Sequence, residues 1–364
     1  MAEFVLDGIS IRGIACAVPD NKVDNTEYYR QFGKEKVDTV TKVTGVRSSY
    51  RTTEEQTASD LCFVAANTLL ENKGVGRDEI GACVFVSHTP DYTLPATACV
   101  LHKRLRLPLS CVAFDINLGC SGWVYGLNVV GSLMLTSNID KALLLFGDTS
   151  IKTASPEDNL SVMLFGEGGS ATLLEKDNVG CIKGELMTDG DGYKSIIIPS
   201  GAYRNRNGSR ERRKWRDGVV RSDFDLYMNG TDVFAFSISK VPEMINNFVA
   251  GQEKGRPAQE IYDALVLHQA NLFILRQISK KTKIPMDMIP VSIDRYGNTS
   301  GASIPITICD AYGEEESKKL RLLMCGFGIG LSWGIIDTVI DSNDIYPIQL
   351  TEEYYKEGGV SLDD

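Results

Sequence analysis

Short, unbroken apolar runs, rather than alternation of apolar and polar positions, dominate the pattern of this chain. Ala82–Ser87, Val112–Asn117 and Lys141–Asp148 each read as a strand covered on both faces, which is how parallel sheets with helices on either side are built. Helical spacing separates them: Thr57–Leu70, Thr97–Leu105 with His102 at its basic end, and an apolar helix-like run over Trp123–Leu135. Earlier in the chain, residues 4–18 predict an opening strand closed by Pro19-Asp20, Asp24-Asn25 caps a short helix, and Lys36–Val43 predicts a second helix that Gly45 ends. Phe165–Glu175 turns on glycines into a further strand.

The second half repeats this plan. Glu79–His88 and Glu260–His268 are each a helix end running into a buried strand that stops at a histidine, and Lys141–Gly147 has a counterpart in Leu320–Gly328. Ile289–Ile293 predicts a strand leading into a loop, and Cys325–Gly334 a glycine-rich loop entering a strand. The expected architecture is α/β: two stacked halves, residues 1–176 and 177–345, followed by an acidic, aromatic-bearing tail over 346–364 that is either packed or mobile.

Composition narrows the function classes. At 364 residues the chain exceeds one typical core, and its 43% apolar and 24% charged residues are those of a soluble globular protein. No apolar stretch approaches the roughly 18 residues of a membrane span, and no basic–apolar–small pattern marks a secretory leader, so the expectation is a cytoplasmic protein without membrane insertion. The nine cysteines, odd in number and without a C-x-x-C pair, fit reduced thiols better than disulfides or zinc. A net charge of −10 disfavours nucleic acid as a partner. One basic patch stands out, Tyr203–Arg221, with eight Arg and Lys residues around Trp215. It reads either as a solvated loop or as a docking surface for phosphate or an acidic carrier protein.

Candidate chemistry gathers where apolar runs break. In Phe114–Leu135 the run stops at Gly119-Cys120-Ser121-Gly122 before the helix begins, placing Cys120 on a strand-to-helix elbow. There, unpaired N–H groups and the helix dipole favour a thiolate, which makes Cys120 the candidate nucleophile. His268 leaves a buried strand at the edge where α/β sites are built. Asn298 offers an amide at a comparable elbow, and the N–H groups of Gly326–Gly334 offer an oxyanion site. Taken singly, each has a plainer reading as a buried thiol, a packing histidine, a turn residue or a tight connection.

Together, Leu118-Gly-Cys-Ser-Gly-Trp, His268-Gln-Ala-Asn-Leu, Gly297-Asn-Thr-Ser-Gly-Ala-Ser and Gly326-Phe-Gly-Ile-Gly-Leu-Ser-Trp-Gly resemble the signature blocks of β-ketoacyl-acyl-carrier-protein synthase III, a condensing enzyme of the thiolase superfamily. Phe165-Gly-Glu-Gly-Gly-Ser-Ala and Met228-Asn-Gly-Thr-Asp-Val-Phe also resemble family segments, and the match runs in register from about residue 5 to 340. The resemblance implies a thiolase-like fold with duplicated halves in a five-layer αβαβα arrangement, usually as a homodimer. It implies that Cys120 carries the acyl group, that His268 and Asn298 stabilise the enolate-like oxygen as carbon dioxide leaves, and that the N–H groups of Cys120 and Ile329 form the oxyanion hole. Substrate contacts are implied for Asn271, Gly230, Phe327 and Leu94, the last in a loop resembling one that closes the partner's acyl tunnel. No cofactor and no metal are implied, only an acyl thioester, as acyl-CoA or on acyl-carrier protein, and malonyl-acyl-carrier protein.

Where acetyl-CoA-using members carry a nucleotide-holding tryptophan and arginines, this chain has Thr39, Val43 and Asn159. Phe273 and Ala235 stand where those members have an arginine and a lysine of the carrier surface. The expectation is a different acyl donor, or a different hold on CoA, with replacement charge from Arg210, Arg212, Arg213, Arg216, Lys280 and Lys281. The leading reading is decarboxylative Claisen condensation to a 3-oxoacyl-acyl-carrier protein. The alternative is acyl transfer from Cys120 to an alcohol or amine of a specialised metabolite or glycan, and a third is a catalytically silent partner subunit. Intact Cys120, His268 and Asn298 favour the first.

Overall fold

The computed structural model describes residues 2–253 and 255–359. Along the chain come β1 (Ala2–Pro19), α1 (Lys34–Thr44), α2 (Ala58–Lys73), β2 (Ile80–Val86), α3 (Thr97–Arg104), β3 (Val112–Ile116), α4 (Gly122–Leu135), β4 (Lys141–Asp148) and β5 (Gly168–Thr188). There follow α5 (Gly230–Gln252), β6 (Ala264–Leu267), α6 (Leu272–Thr282), α7 (Ser303–Tyr312), β7 (Lys319–Gly328), β8 (Ser332–Asp341) and β9 (Gln349–Thr351), with short hairpins and single-turn helices between.

The strands pair in the order β6-β7-β8-β5-β4-β2-β3, with β1 along β5. The repeat expected from sequence appears as a pairing rule: β2 lies parallel to β4, and β6 lies parallel to β7. Two long strands join the halves. Ala2–Asp7 of β1 pairs with the distal part of β5, Ile9–Ala17 pairs with its proximal part, and the register shifts between them, where Gly8 adopts φ +78°. Lys176 and Asp177, on either side of the expected boundary, lie inside β5 at this shift, so the two halves meet within a continuous ladder rather than at a linker.

Burial on both strand faces explains the unbroken apolar runs. Val84 and Val86 of β2 and Leu144 and Phe146 of β4 face a central core with Val124 and Leu127 of α4 and Ile304 and Ile308 of α7. Val266 of β6 and Met324 of β7 reach the same core from the other half. The alternate residues Cys83, Phe85, Leu143 and Leu145 pack outward under α2 and α3, and Leu265, Leu267, Leu323 and Phe327 pack under α5 and α6. The layers are therefore α2/α3, sheet, α4/α7, sheet, α5/α6, and α4 and α7 begin beside each other in the middle layer.

Two expectations are corrected. Ile289–Ile293 is not a strand: Pro290 has no N–H to give a ladder, and the Gln269 side chain accepts the Ser292 and Ile293 N–H groups at 3.1 and 3.3 Å, ahead of a single-turn helix over Ile293–Tyr296. The glycine-rich stretch after Cys325 is not a loop entering a strand, because Gly326–Gly328 is still β7 and a tight hairpin returns as β8. The tail packs as far as it is described: β9 pairs with Ala17–Pro19, and Lys103 bonds Glu357 at 2.6 Å. Residues 360–364 of the expected tail lie outside the described residues. Among the described residues no helix is long and apolar enough to cross a membrane.

Candidate active site

Cys120 lies between β3 and α4, as the elbow reading predicts, with its side chain almost wholly buried. Two glycines of β7 make room for it. A Cβ on Gly326 would sit 3.1 Å from the Cys120 carbonyl oxygen, and one on Gly328 would sit 2.8 Å from the Cys120 sulfur. The hairpin is held down on the elbow by Ser332, whose hydroxyl lies 2.6 Å from that of Ser121 and donates to the Ile329 carbonyl at 2.6 Å.

Burial pushes the Cys120 thiol up to about 11, against the backbone N–H of Ile329, the Ser300 hydroxyl and the residue's own N–H, which pull it down. The thiolate expected from the helix terminus is therefore corrected: burial outweighs these hydrogen bonds, and the resting group is a neutral thiol. Ile329 and Cys120, whose backbone N–H groups are expected to form the oxyanion hole, line the same cavity.

His268 continues β6, with its N–H bonded to the Cys325 carbonyl at 2.9 Å, and its imidazole is buried. Burial pulls the ring down to about 4, opposed by the Ser300 carbonyl, so it is neutral at physiological pH. Phe327 packs edge-on against it with ring centroids 5.3 Å apart. Nδ1 lies 2.8 Å from the Ser303 hydroxyl at the start of α7.

Asn298 is fixed through its backbone, which exchanges hydrogen bonds with Leu164 and Gly166 at 2.8 and 3.0 Å. Its side-chain oxygen accepts the Ser300 N–H at 3.0 Å, which leaves the amide nitrogen as the donor group, with Ala270 O at 3.4 Å. Ser300 has φ +55°, a left-handed backbone uncommon for a serine, at the point where the chain turns from Asn298 into α7.

Cys120, His268, Asn298, Phe327 and Ile329 all line one cavity of about 1060 Å³. Of the other expected contacts, Asn271 caps α6 by accepting the Ile274 N–H at 2.8 Å, Gly230 opens α5, and both line this cavity. Leu94 does not line it: its neighbours Thr93 and Pro95 do, and its own side chain is 74% exposed. Val43, Phe234 and Phe273 line it too, the last two stacked with centroids 5.5 Å apart, and among the described residues no lysine or arginine lines it. Thr39 and Ala235 are exposed and outside it, and so are Lys280 and Lys281, which close the far end of α6.

In the basic loop, Arg212 and Arg213 are engaged by Asp225 and Asp223 at 3.8 and 2.6 Å, and Arg210 lies over the Phe224 ring. Arg216 has no carboxylate partner among the described residues, and the loop joins the cavity through Ser200–Tyr203. Sequence reasoning missed Ser300, Ser303 and Gln269 as site-building residues, although all three stand inside the motif blocks that placed Asn298 and His268.

Residues 114–190 match the family described as 3-oxoacyl-(acyl-carrier-protein) synthase III, and residues 252–337 match its C-terminal region. A β-ketoacyl-(acyl-carrier-protein) synthase III of Clostridium perfringens is 33% identical over 327 residues, 88% of this chain and 96% of that one. The solved 3-oxoacyl-(acyl-carrier protein) synthase of Burkholderia xenovorans superposes with a TM-score of 0.88 at 36% identity, over 96% of this chain and 99% of that one. The synthase III of Pseudomonas aeruginosa superposes with 0.76 at 25% identity, over 94% and 100%. With that coverage, those two matched regions and the same layered sheet, the chain belongs to the 3-oxoacyl-(acyl-carrier-protein) synthase III family of condensing enzymes.

Proposed function

We propose that this protein joins an acyl thioester primer to malonyl-acyl-carrier protein with loss of carbon dioxide, giving a 3-oxoacyl-acyl-carrier protein. The observation that carries the reading is the meeting of Cys120, His268, Asn298 and the Ile329 N–H at one cavity, from four segments remote in sequence. In the first step the Cys120 sulfur bonds the acyl carbon, the donor's carbon–sulfur bond breaks, and the donor leaves as a thiol with the Cys120 proton. The reaction is proton-neutral, which suits a neutral resting thiol. In the second step the malonyl carboxylate leaves as carbon dioxide. The electron pair of that bond attacks the acyl carbon, the bond between that carbon and the Cys120 sulfur breaks, and the sulfur takes up one proton from solvent. Two uncharged donors, the imidazole of His268 and the amide of Asn298, suit the enolate oxygen that forms on the way, because no strong base is needed.

The mouth supports a donor that presents only a pantetheine arm. Val43 and the Phe234–Phe273 stack are apolar, and among the described residues no cation lines the cavity to receive nucleotide phosphates. An acyl-carrier protein supplies that arm, and the exposed cations of the loop beside Tyr203 give its acidic surface a place to dock. A homodimer is part of the same reading, supported by the sheet-edge strand β3 and the exposed Leu94, Leu109 and Val112 near it.

The test is to load the enzyme with radiolabelled acyl thioester, then add malonyl-acyl-carrier protein, alongside Cys120→Ala and Asn298→Ala. Label on Cys120 followed by release of carbon dioxide supports condensation. Label that passes to an alcohol or amine while malonyl-carrier stays intact would replace it with acyl transfer.

A further inference from the structure

The exits of β2 and β3 form one wall of the cavity, and its polar side chains divide into two groups. Val86 pairs with Ile116 at the end of the parallel ladder, and the Ser87 N–H bonds the Ile116 carbonyl at 3.1 Å, so residues 87–89 and 115–117 arrive together. Three of them are satisfied within the protein. Ser87 donates to Asp148 at 3.0 Å, Thr89 accepts the Thr149 N–H at 2.9 Å, and Asp115 takes the Thr97 and Ala98 N–H groups at 2.6 and 2.7 Å. His88 and Asn117 are different. Both line the cavity, and neither side chain makes a hydrogen bond to any described residue; only the His88 backbone N–H is used, by Asp148.

His88 is also close to the nucleophile's backbone. A Cβ on Gly119, the residue before Cys120, would lie 2.7 Å from His88 Nδ1. His88 is half-buried and Asn117 exposed, and both line the cavity of Cys120 beside the apolar Phe85 and Ile116, so an acyl group that runs toward this wall meets an imidazole and a carboxamide. For a purely aliphatic chain that is a poor lining, because it would cover these polar groups without replacing the hydrogen bonds they make to water.

We propose that the primer is an uncharged acyl group bearing a hydroxyl or oxo oxygen, which His88 and Asn117 select by hydrogen bonding. This rests on the acylation of Cys120 proposed above. The group is uncharged because among the described residues no lysine or arginine lines the cavity to pair an acid, while Asp115 and Asp148 both line it. An imidazole and a carboxamide both offer hydrogen bonds, which suits a hydroxyl in either orientation and an oxo group as acceptor.

The experiment measures acylation rates of Cys120 by intact-protein mass spectrometry with N-acetylcysteamine thioesters, small probes that need neither CoA nor carrier contacts. Butanoyl, 3-hydroxybutanoyl, 4-hydroxybutanoyl and succinyl thioesters are compared on the wild type, His88→Phe, Asn117→Leu and His88→Gln, with thermal unfolding to confirm that each variant is folded. The wild type should take one of the hydroxy-acyl groups at least about tenfold faster than butanoyl and succinyl. His88→Phe and Asn117→Leu should erase that ratio while keeping butanoyl acylation, and His88→Gln, which keeps a hydrogen-bonding amide, should retain much of it. A wild type that prefers butanoyl or succinyl, or a ratio unmoved by His88→Phe and Asn117→Leu, overturns the proposal while leaving the condensing function standing. No acylation of Cys120 by any of the four overturns the acylation reading, and this one with it.

Discussion

The Nδ1 of His268 lies 2.8 Å from the hydroxyl of Ser303, and that hydroxyl accepts the Gln269 N–H at 3.1 Å. Proton counting then fixes the ring. If Nδ1 carried the proton, the Ser303 hydroxyl would have no acceptor among the described residues in a buried site. Donating to Nδ1 instead satisfies both groups, and it leaves the ring proton on Nε2 as the donor, with the Ser300 carbonyl also facing the ring. An enolate oxygen needs that tautomer.

Ser303→Ala is expected to lower the condensation kcat by about tenfold, the worth of one buried hydrogen bond, with little change in the KM for malonyl-carrier. Acylation of Cys120, which does not use this donor, should keep its rate, and Ser303→Thr should recover part of the loss. Single-turnover acylation and steady-state condensation, measured side by side, check this. Equal losses in both steps would mean that Ser303 acts only on the fold.

Burial holds the folded-state pKa of His268 near 4, below the ordinary value of 6.5, so the unfolded chain binds more protons between those two values. Stability from this group is fully present above pH 6.5 and falls as pH drops toward 4, by up to about 3 kcal/mol. Denaturant midpoints across that range should fall in the wild type and fall less in His268→Gln. Decarboxylation of malonyl-carrier should stay flat from neutral pH down to about 5. An acid limb centred on 6.5 would contradict a ring neutralised by burial.

With its thiol pushed up to about 11, Cys120 is only about one part in ten thousand thiolate at pH 7. Alkylation by iodoacetamide should accelerate close to tenfold per pH unit from 7 to 9 without levelling, followed by peptide mapping of Cys120. A plateau below pH 8 would mean that the helix terminus wins after all.

Much of this was legible in the chain because the signals were local. Unbroken apolar runs reported strands buried on both faces, and the stop at Gly119-Cys120-Ser121-Gly122 reported the elbow. The strand-to-histidine repeat reported the parallel pairs β2–β4 and β6–β7. What stayed hidden depends on neighbours remote in sequence. The protonation of Cys120 is set by β7 closing over it, which no feature of residues 118–123 encodes. Ile289–Ile293 had strand composition but no strand beside it, because Gln269 takes its N–H groups. Likewise Arg212 and Arg213 count as charge in sequence, yet Asp225 and Asp223 hold them in the fold.

Gly328→Ala should abolish acylation in a folded protein. The new methyl would lie 2.6 Å from Cys120 Cβ and 2.8 Å from its sulfur, inside any tolerated contact, and Gly328 is held by its pairing with Ser332 in a strand that β6 anchors as far as Cys325. Circular dichroism should be native, while iodoacetamide labelling and acyl loading of Cys120 both fail. A variant that still loads acyl groups would show that the hairpin moves away from the elbow more freely than its Ser121–Ser332 contact suggests.

Charge reversal separates the docking arginines from the structural ones. Lys214 and Arg216 are exposed and lack a carboxylate partner among the described residues, whereas Arg213 bonds Asp223 at 2.6 Å, and Arg221, bonded to Asp217 at 2.6 Å, is buried. If an acidic carrier protein docks here, Lys214→Glu with Arg216→Glu should raise its apparent KM several-fold at low ionic strength and leave kcat unchanged. The difference should shrink toward about 0.5 M salt as the charges are screened. Arg221→Glu should instead lower the melting temperature, because it leaves Asp158 and Asp217 facing a third carboxylate in a buried site. A KM that ignores both exposed reversals would place the carrier elsewhere, with the far end of α6 at Lys280 and Lys281 as the next surface to reverse.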